Sequence, residues 1–249
     1  MPCRIRGSNR FHGHKTPDSV SESNPNGVNL VDKTTGVWIG DIKFEDLNGD
    51  GVINEDDQTV IGNPNPDFTF GFNNTFTFGN FDLSIYLRGA VGGDILNYSR
   101  VRIEGMTNIY TNQAATVTNR SRDALIDPEG EPEDPANVIL ANPGTDMPRF
   151  ATNDVNRNNR MSDRFIEDGS YLRIQNITFA YTLPRSLTQK VKIERLRIYV
   201  NAQNLYTFTK YSRYDPEIGS FNQNALIQNV DMGRYPSPRI YSMGVDVDF

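Results

Sequence analysis

The chain has 249 residues, a net charge of −6 and a charged fraction of 22%. This balance offers no basic patch of the kind a nucleic-acid binder carries, and the single cysteine, Cys3, excludes a disulfide framework within the chain. Only 37% of residues are apolar, yet 14 are Phe and 11 are Tyr, a mixture better suited to strands with one aromatic face than to a packed α/β core.

Residues 1–36 are polar and rich in Gly, Asn and Ser without periodicity, and are expected to be irregular. Their start, MPCRIRGSNRFHGHK, has basic residues but no apolar h-region, so it is not a secretory signal. His12 and His14 lie two apart in this text and are expected to be solvated, and Cys3 to be an incidental thiol.

Residues 37–249 are organised differently. The stretch Asp46–Asp57, DLNGDGVINEDD, has the spacing of a calcium loop. Asp46, Asn48 and Asp50 offer side-chain oxygens, Val52 its backbone carbonyl, Asn54 the ninth position and Asp57 the twelfth. Gly51 permits the sharp turn, and Ile53 points inward. The flanks are strand-like, so no EF-hand switch is expected, and Asp57 stands where Glu is usual. An Asx-rich turn without metal is the alternative that the pattern leaves open.

Strand signals follow. In DFTFGFNNTFTF, Phe68, Phe70, Phe72, Phe76 and Phe78 share one parity, with Asn74 the only polar intruder. Gly79-Asn80 reads as a two-residue hairpin turn. Phe81, Leu83, Ile85 and Leu87 then alternate with Asp82, Ser84, Tyr86 and Arg88. Residues 98–163 show no sustained alternation, and a short helix is expected near 112–126. The acidic pair Glu133-Asp134 here is solvated loop charge on this reading. Alternation returns at YLRIQNITFAYTL, where Leu172 and Ile174 have one parity and Ile177, Phe179, Tyr181 and Leu183 the other. A β-bulge at Gln175–Asn176 explains the slip; a strand end standing clear of the apolar layer is the other explanation. Leu196, Ile198, Val200, Ala202, Tyr206 and Phe208 form a fourth stripe, and Tyr241, Met243, Val245, Val247 and Phe249 a fifth.

Five strands of roughly ten residues, joined alternately by short turns and long loops, have the asymmetry of an outer-membrane barrel. The opposite face carries Asp82, Arg88, Arg173, Arg197, Asp246 and Asp248, mixed charges that suit a wet lumen. No run approaches the roughly 20 apolar residues of a membrane helix, but membrane β-strands need only about 9–11 residues. The fold class expected is therefore all-β: an antiparallel transmembrane β-barrel segment of about five long strands with long extracellular loops. A secreted, calcium-stabilised β-sandwich module that binds carbohydrate is the alternative, although sandwich strands are usually nearer five or six residues. No Ser-His-Asp or Cys-His arrangement is present on the strands, and no enzymatic activity is expected. Loop aromatics Trp38, Tyr110, Tyr211 and Tyr214 are candidates for touching a ligand, with loop packing the plainer role.

GDIKFEDLNGDGVINEDDQTVIGNPNPDFTFGF, SDRFIEDGSYLRIQNITFAYTLP, LRIYVNAQNLYTFTKY and the final VDVDF resemble the C-terminal end of the SusC/RagA family of TonB-linked outer-membrane transporters. The resemblance covers about residues 40–249. It implies part of a plugged barrel of about 22 strands, located in the cell outer membrane and embedded in its lipid. It also implies a SusD-type surface lipoprotein as partner, an oligosaccharide or peptide as substrate, and coupling to the TonB system through an N-terminal part. Gly79-Asn80 and the 184–194 connection would be periplasmic; the acidic loop, 98–163 and 210–237 would be extracellular. The chain is expected to be a fragment, incomplete and inactive alone, whose open sheet aggregates in water because its edges are unpaired. The calcium of the acidic loop would be structural.

Overall fold

The computed structural model describes residues 11–13, 33, 36–108, 110–221 and 224–249. The chain divides into two compact units. The first takes Met1–Pro64, Leu96–Ile166 and Ser220–Gly233; the second takes Asn65–Ile95, Glu167–Gly219 and Arg234–Phe249.

The second unit is a five-stranded sheet. Its strands are β1 (Phe68–Phe78), β2 (Phe81–Val91), β3 (Tyr171–Thr182), β4 (Arg195–Thr209) and β5 (Ile240–Asp248). Spatial order is β5-β4-β3-β2-β1, and every pair is antiparallel. Each of the five apolar stripes became a strand, because alternation gives an extended chain one face to cover and one to wet. Gly79-Asn80 joins β1 to β2 with Phe78 opposite Phe81. Gly79 has φ 58°, a left-handed value that glycine adopts without a Cβ penalty.

Register aligns the stripes into rows. Phe76, Leu83, Phe179, Val200 and Met243 lie across from one another in sequence, as do Phe78, Phe81, Tyr181, Ile198 and Val245. The polar rows include Thr75, Ser84, Thr178, Asn201 and Ser242. Gln175 is the expected bulge: Tyr86 pairs with Asn176 and Leu87 with Ile174, leaving Gln175 as the extra residue. On the other side β4 jumps from Gln203 to Tyr206. Asn204 there has φ 52°, and its Oδ1 accepts 2.9 Å from Gln175 Nε2. The bulge brings Leu172 and Ile174 onto the face of Ile177, Phe179 and Tyr181, which accounts for the parity slip.

The aromatic face is exposed: Phe68 is 56% accessible, Phe72 53%, Ile198 44% and Val245 57%. A sandwich would cover this face with a second sheet, so its exposure counts against the soluble alternative. Ring contacts run along it, with Phe81 stacked on Phe179 at 5.7 Å and Tyr206 edge-on to Phe208 at 4.7 Å. Glycines make room for rings across the strands. A Cβ on Gly244 would lie 2.5 Å from Tyr199 Oη, and one on Gly89 would lie 2.7 Å from the Phe70 ring.

The first unit is built from short pieces. Phe11–Gly13 pairs with Thr59–Gly62, so part of the expected irregular start is strand; Cys3 and His14 lie outside the described residues. Tyr98–Ile103 is a helix capped by the Asn97 side chain, and Asp123–Leu125 pairs with Val138–Leu140. The helix expected near 112–126 is a 3-10 turn at Ala115–Asn119. Trp38, Ile39, Val138 and Leu140 form one small core. Leu96 and Phe165 form another, with Val101, Met161 and Val230 against it.

Candidate functional site

The polar face of the second unit is wired by hydrogen bonds. Asn201 Nδ2 donates to Asn176 Oδ1 at 2.7 Å and to Thr178 Oγ1 at 2.8 Å. Arg197 meets Asp246, its register partner, at 3.1 Å, and Thr77 donates to Asp82 at 2.9 Å. Charges of both signs therefore sit on one side of the sheet and Phe on the other.

The end of this face nearest residue 171 carries a dense cluster. Arg173 is 2% exposed. Its guanidinium donates to Thr207 Oγ1 at 2.9 Å, to Glu217 Oε2 at 2.5 Å and to Asp215 Oδ1 at 2.5 Å. Arg88 also grips Glu217, and Tyr171 Oη donates to Glu217 Oε1 at 2.7 Å. Burial pushes the Asp215 carboxyl up, but the Glu217 and Ser237 backbone N–H groups and Arg173 outweigh it and hold the pKa below the usual carboxylate value. The sequence marked Arg88 and Arg173 as lumen charges. Asp215 and Glu217 were not marked, because nothing in an irregular stretch says which strand its carboxylates reach.

The acidic loop is shaped by its own side chains. Asp46 accepts from the N–H of Gly49 at 2.7 Å and of Gly51 at 2.8 Å. Asn48 Oδ1 accepts from Asp50 N, and Asp50 Oδ1 from Val52 N. Asp57 is fully buried and accepts from Leu47 and Asn54 N–H, while Asn54 caps the turn Glu55–Asp57. Gly49 and Gly51, at φ 76° and 78°, give the left-handed corners. All candidate ligands of this loop, Asp46, Asn48, Asp50, the Val52 carbonyl, Asn54 and Asp57, are hard oxygens, the donor class that calcium takes. Among the described residues no three His, Cys, Asp or Glu side chains converge as a ready metal cluster.

Two ionic knots brace the first unit. Asp41, fully buried, accepts from Arg149 Nε at 2.8 Å, Asn158 Nδ2 at 2.9 Å and Trp38 N at 2.9 Å. Asp154 accepts from Asn158, and burial pushes its pKa above the usual value. Glu104 joins Arg100 at 3.0 Å and Arg164 at 3.1 Å. Burial likewise draws Arg160 down to about 10, with Arg157 adding repulsion. Sequence reading missed both knots: Asp41 lies more than a hundred residues from Arg149 and Asn158, Glu104 lies 60 from Arg164, and no spacing announces these long-range pairs.

The other candidates separate cleanly. Trp38 and Tyr211 are buried, whereas Tyr110 and Tyr214 are exposed. Glu133 and Asp134 are exposed, and Asp134 caps the turn Pro135–Asn137.

An antiparallel sheet of long strands, aromatic and exposed on one face and charged on the other, defines a run of strands from a transmembrane β-barrel. No family model matches the chain. It is 36% identical over 210 residues to TonB-dependent receptor P3 of Formosa agariphila, covering 83% of this chain and 19% of that protein. It is 27% identical over 207 residues to TonB-dependent receptor SusC of Bacteroides thetaiotaomicron, covering 83% and 17%. Among solved structures, one of the RagAB peptide transporter superposes with a TM-score of 0.66 at 22% identity, covering 96% of this chain and 23% of that one. The chain is thus a homologue of TonB-dependent receptors, SusC among them, and it spans about a fifth of the length of the curated relatives it matches.

Proposed function

We propose that this chain supplies five adjacent strands to the barrel of an outer-membrane importer that takes up an oligosaccharide or a peptide. The observation that carries this reading is the inverted face pattern: Phe and Ile outward, Arg, Asp and Asn on the side of a wet lumen. An open sheet with lone edges leaves N–H and C=O groups unpaired in lipid, so the strands function within a larger barrel. On this reading a SusD-type surface lipoprotein is the partner, the TonB system provides energy, and the role is uptake rather than catalysis. On the same reading the acidic loop, 98–163 and 210–237 are extracellular.

The test places single cysteines at Phe70 and Thr69 in a Cys3→Ser background, within the assembled barrel in outer-membrane vesicles. Phe70→Cys should be shielded from a water-soluble maleimide and quenched by a lipid-borne nitroxide; Thr69→Cys should show the reverse. Equal reaction of both with the aqueous reagent in a soluble monomer would promote the secreted-module alternative.

The same reading assigns calcium to the loop Asp46–Asp57. Asp46, Asn48, Asp50, the Val52 carbonyl, Asn54 and Asp57 would hold it, and its chemistry is to cross-link a surface loop. Its support is the all-oxygen donor set and the N–H bonds that preset Asp46, Asn48 and Asp50 in one turn.

A further inference from the structure

A cavity of about 350 Å³ in the first unit is lined by four cationic side chains, Lys33, Arg120, Arg122 and Arg149. Two of them are neutralised. Lys33 Nζ lies 2.5 Å from Asp123 Oδ2, and Arg149 is held by Asp41 and by the carbonyls of Lys33 and Gly36. Arg120 and Arg122 have no carboxylate partner among the described residues. The cavity therefore holds uncompensated positive charge in a chain whose net charge is −6.

Two buried polar groups line the same space. Trp38 is 1% exposed and Ser121 4%, and among the described residues neither Trp38 Nε1 nor Ser121 Oγ has a hydrogen-bond partner. An indole N–H can only donate, and buried polar atoms without partners are rare in folded proteins. Glycine at position 40 allows this packing: a Cβ there would lie 2.4 Å from Ser121 Oγ. The remaining walls are largely apolar, with Ile39, Phe150 and Ala151.

Two guanidinium groups without a carboxylate partner, one of them steadied by Arg122 Nη2 donating to the Thr118 carbonyl at 3.0 Å, and apolar walls fit an anion on a small, partly apolar body. The planar fork of arginine matches the carboxylate geometry. At about 30 Å³ per water-sized group, the cavity takes on the order of a dozen non-hydrogen atoms. We propose that this cavity binds the carboxylate of a small acidic ligand, with Arg120 and Arg122 pairing to the carboxylate and Trp38, Ile39 and Phe150 against its apolar body. The carboxylate comes from an acidic sugar or from the end of a peptide. The site lies wholly within the first unit and does not depend on the import reading.

Trp38 is the chain's one tryptophan, so its emission reports directly from the cavity wall. The full chain in detergent micelles is titrated with glucuronate against neutral glucuronamide, and with Ala-Ala against Ala-Ala amide. At least one acid should give a saturable emission change, with its neutral analogue at least tenfold weaker; the tighter acid identifies the source. The double substitution Arg120→Gln, Arg122→Gln should weaken binding at least tenfold while leaving the ligand-free emission maximum in place, which shows that the fold persists. The proposal is overturned if acid and neutral analogues titrate alike, if the double variant binds as the parent does, or if neither acid saturates by about 50 mM, beyond the range of specific small-ligand affinity.

Discussion

Arg88 and Arg173 stand directly opposite each other on neighbouring strands, and Glu217 binds both. Like charges across a ladder repel, so the pair is tolerable only with a shared anion. Glu217→Gln should therefore destabilise the sheet by about 1.5–3 kcal/mol, the range for a hydrogen bond to a charged group, seen as a lower denaturation midpoint. Arg88→Gln in the same background should recover part of that loss, because it removes the repulsion. Strict additivity of the two changes would show that Glu217 does not couple the arginines.

The two faces should respond to charge unequally. Phe70→Arg or Ile198→Arg in an assembled barrel should cost about 2–4 kcal/mol if near the bilayer midplane. Thr69→Arg should cost far less. Asn201 is a poorer control, since its amide bridges Asn176 and Thr178. Equal losses on the two faces, measured by refolding into lipid vesicles, would defeat the assignment of sides.

The bulge should do no more than absorb one extra residue. Deleting Gln175 leaves Leu172, Ile174 and Ile177 in plain alternation on one face, with Arg173 still on the polar side, because Tyr86 and Leu87 already pair with the residues on either side of it. Surface assembly of that deletion should persist; its loss would show that the bulge does more than correct the register. Asn204→Val should cost about 1–2 kcal/mol, because a β-branched residue resists the left-handed φ of 52°; Asn204→Gly should be nearly neutral.

Calcium should bind the loop Asp46–Asp57 with a Kd on the order of 10⁻⁴–10⁻³ M, as external sites need no more. Asp46→Ala should abolish the heat of binding in calorimetry. A flat titration of the parent at millimolar calcium would leave the loop as a turn held by Asx bonds alone.

Acid should loosen the cluster around Asp215. Its native pKa is lowered, so its contribution is fully present above the unfolded value of about 3.9 and is lost as pH falls through the native value. The stability gap between the parent and Asp215→Asn should be largest near pH 7 and shrink by pH 3. A gap independent of pH would mean that Asp215 does not titrate with folding.

The strands were legible in the sequence because the period of two is a local property. Phe68 to Phe78 can be sorted into faces without knowing any partner, and Gly79-Asn80 marks its own turn. Even the bulge showed as a parity slip at Gln175, since one extra residue must shift every later side chain. The acidic loop was legible for the same reason: its oxygens, its glycines and the N–H groups they bind lie within twelve consecutive residues. What joins distant residues was decided only by the tertiary structure. Arg173 meets Asp215 and Glu217 across more than forty residues, and Asp41 meets Arg149 and Asn158 across more than a hundred. Charges in irregular segments carry no phase, so the sequence could count them but not pair them. The cavity at Trp38 belongs to the same class: Lys33, Trp38, the run Arg120–Arg122 and Arg149 come from separate segments that only the folded chain gathers around one space.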